Sequence, residues 1–437
     1  MNAKNSNNLN KKKNDLSKIF IKEIELSFNI QNKYNDEKVN LKKKGSLINL
    51  NIYNNEKKEY SLNKDQRNKR NFGIDILRIL AIFFIINHHI IYHGGILFKT
   101  KILSFNNSIL IFLNTLFCSG VNIFGMISGF VGFHSHKYSN LIYLLFQTFF
   151  YNYWIAFLFQ KTRPSIVKDL YNYLFPLFIS DYWYFNAYFA MYFFLPLINA
   201  GIKNMNKREM EVFNLSLFLL FSCFNQIRHY SKRFRKDFFH FVNGFTYMWL
   251  IILYFFGSYF GKYKINFNPH AKFTKIFINS LLLFFITFLR SFLIIYKKIY
   301  NQNSNAMIVE YTSPSSVIIS LIFINILSKL EINLKILQAI ISFFSPLTYG
   351  IYLLHNHYLV RNFMIKNKYL WLLKSHSIVM IILELFQSLK IFIFCSFIDY
   401  IRLLIFKILR IKRICIIIPN LLEKIFDKFF LLLRLCY

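Results

Sequence analysis

The feature of this sequence that most restricts its fold is a series of apolar blocks that begins after residue 70. A bilayer core about 30 Å thick is crossed by a helix of about 20 apolar residues. We therefore predict an all-α polytopic membrane helix bundle with about ten transmembrane helices. The blocks lie approximately at residues 74–97, 108–133, 140–159, 183–202, 211–227, 244–260, 273–295, 313–330, 337–360 and 378–400.

Polar or basic segments flank this apolar region. Residues 1–70 are rich in Asn and Lys and are predicted to be a disordered cytosolic tail, and residues 71–400 form the predicted transmembrane domain. Residues 401–437 are predicted to be a basic amphipathic C-terminal tail along the inner leaflet, with an eleventh span as the alternative. The sequence KDQRNKR before the first block places the N-terminus in the cytosol, and an even span count returns the C-terminus there. The basic loop 228–240 falls outside on this topology, which leaves a miscounted span open.

The distribution of Lys and Arg along the sequence indicates which partners this protein binds. The formal net charge is +34, but Lys and Arg lie in the tails and in short stretches between apolar blocks. That pattern favours the lipid bilayer as a partner and argues against nucleic acid. The 5 cysteines form no CxxC pair, so neither a disulfide framework nor a zinc site is predicted. No GxxxxGK[ST] loop is present, and ATP-driven work is therefore not predicted.

The first apolar block reads NFGIDILRILAIFFIINHHIIYHGG and contains Arg78 and His89. On a helix, their spacing places the two side chains within about 20° of one face and about 16 Å apart in depth. We expect Arg78 near the membrane boundary and His89 near the middle. Because Arg in hydrocarbon is costly and usually faces a protein cavity, a polar cavity is predicted here.

Two further polar residues extend this face of the helix. Asp75 lies one turn before Arg78 and is predicted to hold its guanidinium through an i, i+3 contact. His93 lies one turn after His89 and is counted with Asp75 among the substrate-binding candidates. A neutral imidazole in such a place can act as a base toward a hydroxyl group.

Other readings of these residues stay open. Arg78 and His89 could be polar groups that neighbouring helices satisfy without any chemistry. The GxxxG spacings at Gly125 and Gly129 and at Gly257 and Gly261 are explained by close helix packing. Neighbouring histidines also suggest a metal, but no HExxH motif and no carboxylate partner accompany them, so no metal site is predicted. The histidine groups are 88, 89 and 93, 134 and 136, and 355 and 357.

Five motifs in order carry a family resemblance. They are the Arg and His of the first block, SGF in the second, DYWYFNAYFAMYFFLP in the fourth, YTSPSSV before the eighth and SPLTYGIYLLH in the ninth. Together, over about residues 71–400, they resemble the acyltransferase 3 family. Its members are membrane O-acyltransferases that commonly carry out O-acetylation of cell-surface polysaccharides or lipid-linked glycans.

The resemblance implies a reaction and assigns its main residues. Acetyl-CoA, or another acyl-CoA, is expected as the donor substrate from the cytosolic side, with no permanently bound cofactor. A glycan or lipid-linked sugar is expected as the acceptor. His89 matches the catalytic residue, as general base or transient acyl carrier, and Arg78 matches the group that orients the donor or stabilises charge.

Four further positions follow from the same resemblance. Trp183, Tyr311 and His355 match motif positions and are predicted to bind substrate. Lys137 stands where an Arg-rich stretch is common in the family, and it is predicted to contact the donor phosphates. The oxyanion formed during transfer needs a hydrogen-bond donor that the sequence does not identify.

Two competing functions belong to different classes. A proton-coupled transporter would use the Arg and His as a relay. The sequence has no evident repeat of its first half in the second, which does not favour this reading. A catalytically idle relative that serves as a scaffold is the other alternative, and the presence of both Arg78 and His89 argues against it.

Overall fold

Helices account for the regular structure of this protein. The computed structural model describes residues 70–134, 136–159, 182–227, 239–263, 272–300 and 308–435, which contain no strand, and the predicted all-α fold is confirmed for them. Residues 1–69 of the predicted tail and most of loop 228–240 lie outside the described residues. The α-helices are α1 (Phe72–His93), α2 (Ile96–Lys99), α3 (Phe105–Gly132), α4 (Tyr138–Phe159), α5 (Trp183–Asn204), α6 (Lys207–Phe218), α7 (Tyr247–Lys262), α8 (Lys272–Ile299), α9 (Pro314–Leu327), α10 (Lys335–Phe344), α11 (Thr348–Asn356), α12 (Tyr358–Met364), α13 (Ser377–Ile408) and α14 (Ile411–Leu435).

Seven helical segments of the described chain are long and apolar enough to cross a membrane. They are Phe72–Lys99, Phe105–Gly132, Tyr138–Phe159, Trp183–Asn204, Thr274–Ile299, Lys335–Asn356 and Ser377–Ile408. The predicted count of ten is not confirmed, because three of the blocks lie outside these seven segments. Two of them form the helices α7 and α9, of 16 and 14 residues, which fall short of the roughly 20 residues that cross a bilayer. The third forms α6, of 12 residues, which continues as the π-helix Leu219–Phe224. The fold is nevertheless that of an integral membrane helix bundle.

Helix α1 contacts α3, α9, α10, α11 and α13 and is therefore central to the bundle. Its start is capped by the Asn71 side chain, which accepts a hydrogen bond from the backbone N–H of Ile74. Its end at His93 precedes Gly95, whose φ of 85° is left-handed and suits glycine. This break divides the first apolar block into α1 and α2, and His89 lies one turn before the end of α1, inside the span Phe72–Lys99. The depth of His89 in the membrane stays a prediction.

The segment from α10 to α11 runs in the same direction as α1. Ser345, just after α10, bonds to Asp75 in the first turn of α1. His355, near the end of α11, has its ring centre 5.1 Å from that of His89, near the end of α1. This parallel course brings one continuous segment past both predicted functional residues of α1.

Helices α3 and α7 cross at the two GxxxG spacings. A Cβ on Gly129 would come within 1.9 Å of the Tyr254 carbonyl oxygen, and one on Gly257 within 1.7 Å of the Met126 carbonyl oxygen. Such contacts are impossible for any larger residue, so the two backbones are in direct contact at these positions. The predicted close helix packing is confirmed.

A buried ion pair on α13 is hydrogen-bonded to two tyrosines of α4. Arg402 donates from Nε and Nη2 to the two carboxylate oxygens of Asp399 at 2.9 and 2.8 Å. The Tyr151 hydroxyl donates to Asp399 Oδ1 at 2.6 Å, and Arg402 Nη1 donates to the Tyr143 hydroxyl at 3.0 Å. We call these four residues the Asp399 clasp. Helix α11 lies against it, since a Cβ on Gly350 would meet Asp399 Oδ1 at 1.8 Å.

The C-terminal helices continue beyond the predicted domain limit at residue 400. Helix α13 ends at Ile408, and α14 packs against α4 and α13. The placement of residues 401–437 along the inner leaflet stays a prediction, as does the cytosolic location of both termini.

Candidate active site

Arg78 is anchored by two side chains. Its Nη1 donates to Asp75 Oδ1 at 2.7 Å and to Ser345 Oγ at 3.0 Å. Ser345 Oγ in turn donates to Asp75 Oδ1 at 2.7 Å. The i, i+3 contact expected from the sequence therefore forms, and its carboxylate compensates the guanidinium charge inside the bundle. The Arg78 side chain is still 27% exposed, so an approaching group can reach it.

His89 opens into a small cavity of about 40 Å³ between α1, α3, α5 and α11. That volume is room for a few water molecules or a group of similar size. The lining residues are Ile85, His89, Val121, Phe124, Trp183, Tyr184, Tyr311, Thr348, Tyr349, Tyr352 and Asn356. The cavity thus combines aromatic walls with an imidazole, hydroxyl groups and an amide, a mixture typical of small-ligand sites.

Trp183 and Tyr311, predicted to bind substrate, form one wall of this cavity. Their rings stack with centres 5.6 Å apart and planes inclined by 17°. The Tyr311 carbonyl accepts a hydrogen bond from Asn122 Nδ2 at 2.8 Å, which fixes the segment before α9 against α3. The backbone that carries the Tyr311 ring is therefore held in place by α3.

A cluster of imidazoles surrounds His89. Its ring centre lies 5.1 Å from that of His355, 5.2 Å from that of His93 and 5.8 Å from that of His88. His88 points away from the cavity, where its Nδ1 pairs with Asn114 Oδ1 at 2.8 Å. His355 is completely buried, whereas His89 and His93 are partly exposed. Two of these rings retain a buried nitrogen without a hydrogen-bond partner, His89 Nδ1 and His355 Nε2.

One more histidine lies just beyond α11. Burial, followed by the Arg361 charge, lowers the pKa of His357 to about 3. This imidazole is therefore neutral at physiological pH, and its Nδ1 accepts a hydrogen bond from the Leu359 backbone N–H at 3.3 Å. Its role in the structure is to cap the start of α12.

That a single cavity holds both Arg78 and His89 stays a prediction. Arg78 is absent from the described residues that line the His89 cavity. The separation of about 16 Å along α1 exceeds the extent of so small a cavity. One short turn connects the two places, because Ser345 bonds to Arg78, Thr348 lines the cavity, and Thr348 Oγ1 donates to the Ser345 carbonyl at 2.9 Å.

Lys137 lies away from His89, at the end of the bundle where α1 begins. It is exposed, and its backbone N–H and carbonyl both bond to the Tyr192 hydroxyl, at 3.2 and 2.6 Å. The preceding residue, His136, lines a second pocket of about 340 Å³, and burial lowers the pKa of its imidazole. The full lining is His134, His136, Pro196, Asn199, Ala200, Lys203 and Asn204.

Several residues that line the cavity or bond to Arg78 were not singled out from the sequence. Ser345, Thr348 and Tyr349 belong to the quoted motif SPLTYGIYLLH, and Asn356 follows it directly. The motif was therefore the signal, although only its histidine was named. Among the described residues, no group of three or more His, Cys, Asp or Glu side chains could hold a metal ion.

Comparison with known proteins places this geometry within a recognised domain. A family model described as an acyltransferase domain matches residues 71–399. No curated protein and no solved structure matches the chain. The matched region runs from the start of α1 into α13, and it contains Arg78, the His89 cavity and every residue of the Asp399 clasp except Arg402.

Proposed function

This chain belongs to the acyltransferase 3 family, whose model covers well over half of its residues, and on that premise we propose the reaction it performs. The protein transfers an acetyl or similar short acyl group from acyl-CoA to a hydroxyl group of a glycan or lipid-linked sugar. The observation that carries the proposal is the partly exposed imidazole of His89 in a small cavity of the matched domain.

His89 acts as the general base in this reaction. Its imidazole takes the proton of the acceptor hydroxyl while the hydroxyl oxygen attacks the thioester carbonyl. The carbon–sulfur bond then breaks, and the same imidazole returns the proton to the leaving thiolate. The products are the O-acyl ester and free CoA, and the enzyme recovers its starting protonation state.

The cavity favours a short acyl group. A volume of about 40 Å³ accommodates a few atoms beside His89, which suits an acetyl or similarly short acyl group. Aromatic walls from Trp183 and Tyr311 exclude bulk water, which strengthens polar interactions inside the site and protects the thioester from hydrolysis. The Tyr311 hydroxyl and the Asn356 amide are lining groups with hydrogens to offer a developing oxyanion.

Arg78 acts on another part of the donor. Its partly exposed guanidinium lies about 16 Å from His89 along α1. In acyl-CoA a long flexible arm separates the thioester from the phosphates, so one donor molecule can contact both residues. Lys137, exposed where α1 begins, is suited to the phosphates that remain at the membrane surface.

A pair of histidine variants tests the assignment of the base. We expect His89→Asn to lower transfer of labelled acetyl from acetyl-CoA to membrane glycans by at least about a hundredfold, because general-base catalysis contributes that much or more. His376→Asn is the matched control, since this exposed residue lies outside the site and is expected to leave transfer unchanged. Normal transfer by correctly inserted His89→Asn would refute the assignment.

The acceptor and the transporter alternative need their own experiment. Released surface glycans are expected to carry O-acyl groups in cells that contain the protein and to lack them in cells that do not. A proton-coupled transporter would instead move a solute into sealed vesicles without any turnover of acyl-CoA.

A further inference from the structure

Two unpartnered nitrogen atoms in the histidine cluster require an explanation. His89 Nδ1 and His355 Nε2 are both buried, and neither has a hydrogen-bond partner. Buried polar groups are nearly always hydrogen-bonded, and an exception at a cavity wall points to an interaction formed during function. Both atoms belong to rings in contact with each other.

The hydrogen position on His355 follows from its surroundings. Its Nδ1 lies 2.6 Å from the carbonyl oxygen of Ile351, and a carbonyl oxygen can only accept. The hydrogen of the neutral ring is therefore on Nδ1. His355 Nε2 consequently presents a lone pair and needs a donor.

The distance between the two rings suits a hydrogen bond between them. An N–H···N bond of about 2.9 Å, with each nitrogen about 1 Å from its ring centre, places two imidazole centres about 5 Å apart. The observed separation of 5.1 Å agrees with this value. The two ring planes are inclined by 47°, and a rotation of the His89 ring that turns its Nδ1–H toward His355 Nε2 would form the bond. Catalytic hydrogen bonds commonly tighten in this way when substrate binds.

The other nearby imidazoles, those of His88 and His93, are less suited to accept a hydrogen bond from His89 Nδ1. His88 already uses its Nδ1 in the bond to Asn114. The ring of His93 is partly exposed, so solvent can satisfy it, and neither of its nitrogens is among the buried unpartnered atoms. A single hydrogen on His89 Nδ1 directed at His355 satisfies both unpartnered atoms at once.

We propose that His355 is the positioning residue of His89: its Nε2 accepts the Nδ1–H of His89 and so keeps His89 Nε2 unprotonated and directed toward the acceptor hydroxyl. The catalytic consequence of this pairing rests on the proposed acyl transfer. After the hydroxyl proton reaches Nε2, the resulting imidazolium donates its Nδ1–H to His355 until the proton passes to the leaving sulfur. A buried neighbour that fixes the tautomer of a catalytic histidine performs the same task in catalytic triads.

Nitrogen NMR tests the pairing without any assay of activity. The 11 histidines are labelled with ¹⁵N in the full protein in lipid bilayers, and the His89 signals are assigned by their loss in His89→Asn. We expect His89 to carry its hydrogen on Nδ1 and to change toward the Nε2–H tautomer in His355→Asn. A wild-type His89 protonated on Nε2, or a tautomer insensitive to His355→Asn, would overturn the proposal.

Kinetics of two matched variants then separate positioning from structural support. His355→Asn can keep a donor to the Ile351 carbonyl but has no atom at the position of Nε2, whereas the longer His355→Gln side chain places an amide oxygen there. We expect kcat to fall about a hundredfold in His355→Asn, with KM for acetyl-CoA unchanged, and to recover to within about tenfold of wild type in His355→Gln. Equal losses in both variants would contradict positioning. If the wild type transfers no acyl group, the proposed function fails, whereas the NMR result still decides the pairing.

Discussion

Two buried polar groups, the Asp399 carboxylate packed against α11 and the His355 ring on α11, differ in how completely their polar atoms are hydrogen-bonded. At Gly350, α11 lies against the Asp399 clasp, where both carboxylate oxygens accept hydrogen bonds from Arg402. Five residues later, His355 keeps a buried Nε2 without a partner beside His89. A completely bonded buried network stabilises one structure, whereas an incompletely bonded one lowers stability and indicates a place reserved for substrate chemistry. One short helix therefore joins a structural centre to a reactive one.

The largest loss of stability is expected when the charge pair of the Asp399 clasp is broken. Arg402→Leu leaves the Asp399 carboxylate buried without its charged partner, and we expect a loss of about 3–5 kcal/mol in the free energy of unfolding. Thermal unfolding in detergent measures the loss. Acyl transfer per folded molecule is expected to stay near wild type, because the clasp does not line the His89 cavity.

A double variant checks that the charge causes this loss. Asp399→Leu combined with Arg402→Leu removes both charges and is expected to recover much of the stability lost in Arg402→Leu alone. A double variant less stable than Arg402→Leu would mean that the clasp stabilises the fold mainly through packing. The difference in hydrogen bonding between the clasp and His355 would then explain less of the difference in stability.

A smaller loss of stability is expected at His355. His355→Leu removes the donor to the Ile351 carbonyl and the proposed acceptor of the His89 Nδ1–H. We expect a loss of about 1–3 kcal/mol in the free energy of unfolding, because buried polar groups lose their partners, together with a large loss of acyl transfer. Thermal unfolding and a transfer assay on the same sample show whether the two properties separate. A loss of stability as large as that of Arg402→Leu, with acyl transfer per folded molecule retained, would mean that His355 mainly stabilises the fold.

The smallest effect, a change in donor binding, is expected at the exposed Lys137, which lies outside the Asp399 clasp and the histidine cluster. Lys137→Ala removes an exposed positive charge where α1 begins, and we expect KM for acetyl-CoA to rise by about fivefold at most, with kcat unchanged. The effect should shrink as salt is added, since exposed charges are screened. Lys374→Ala is the control, because Lys374 is also exposed but does not line the second pocket. This variant should leave KM for acetyl-CoA unchanged. A fall in kcat for Lys137→Ala would contradict a role limited to donor binding.

Features that depend on neighbours in sequence were predictable. The Asp75–Arg78 contact follows from i, i+3 geometry, and the crossing of α3 and α7 follows from glycines four residues apart. The apolar blocks likewise predict an all-α membrane bundle. In each case the physical cause acts within one or two helical turns.

Features that depend on distant residues were not predictable from one sequence. Ser345 bonds to Asp75 across 270 positions, and no local pattern indicates that pairing. The end of α1 at His93 is followed by the left-handed Gly95, a break that the apolar pattern alone did not indicate. Which residues line the cavity beside His89 depends on tertiary packing, which periodicity alone does not determine.

Thiol release by the purified protein in liposomes tests the central claim most directly. With acetyl-CoA and a hydroxyl-bearing glycan acceptor, we expect one free CoA thiol for each acetyl group that appears on the acceptor, and both signals are expected to fall together in His89→Asn. Thiol release and acetyl transfer that persist at wild-type rates in His89→Asn, or solute uptake without any thiol release by the wild type, would contradict acyl transfer at His89.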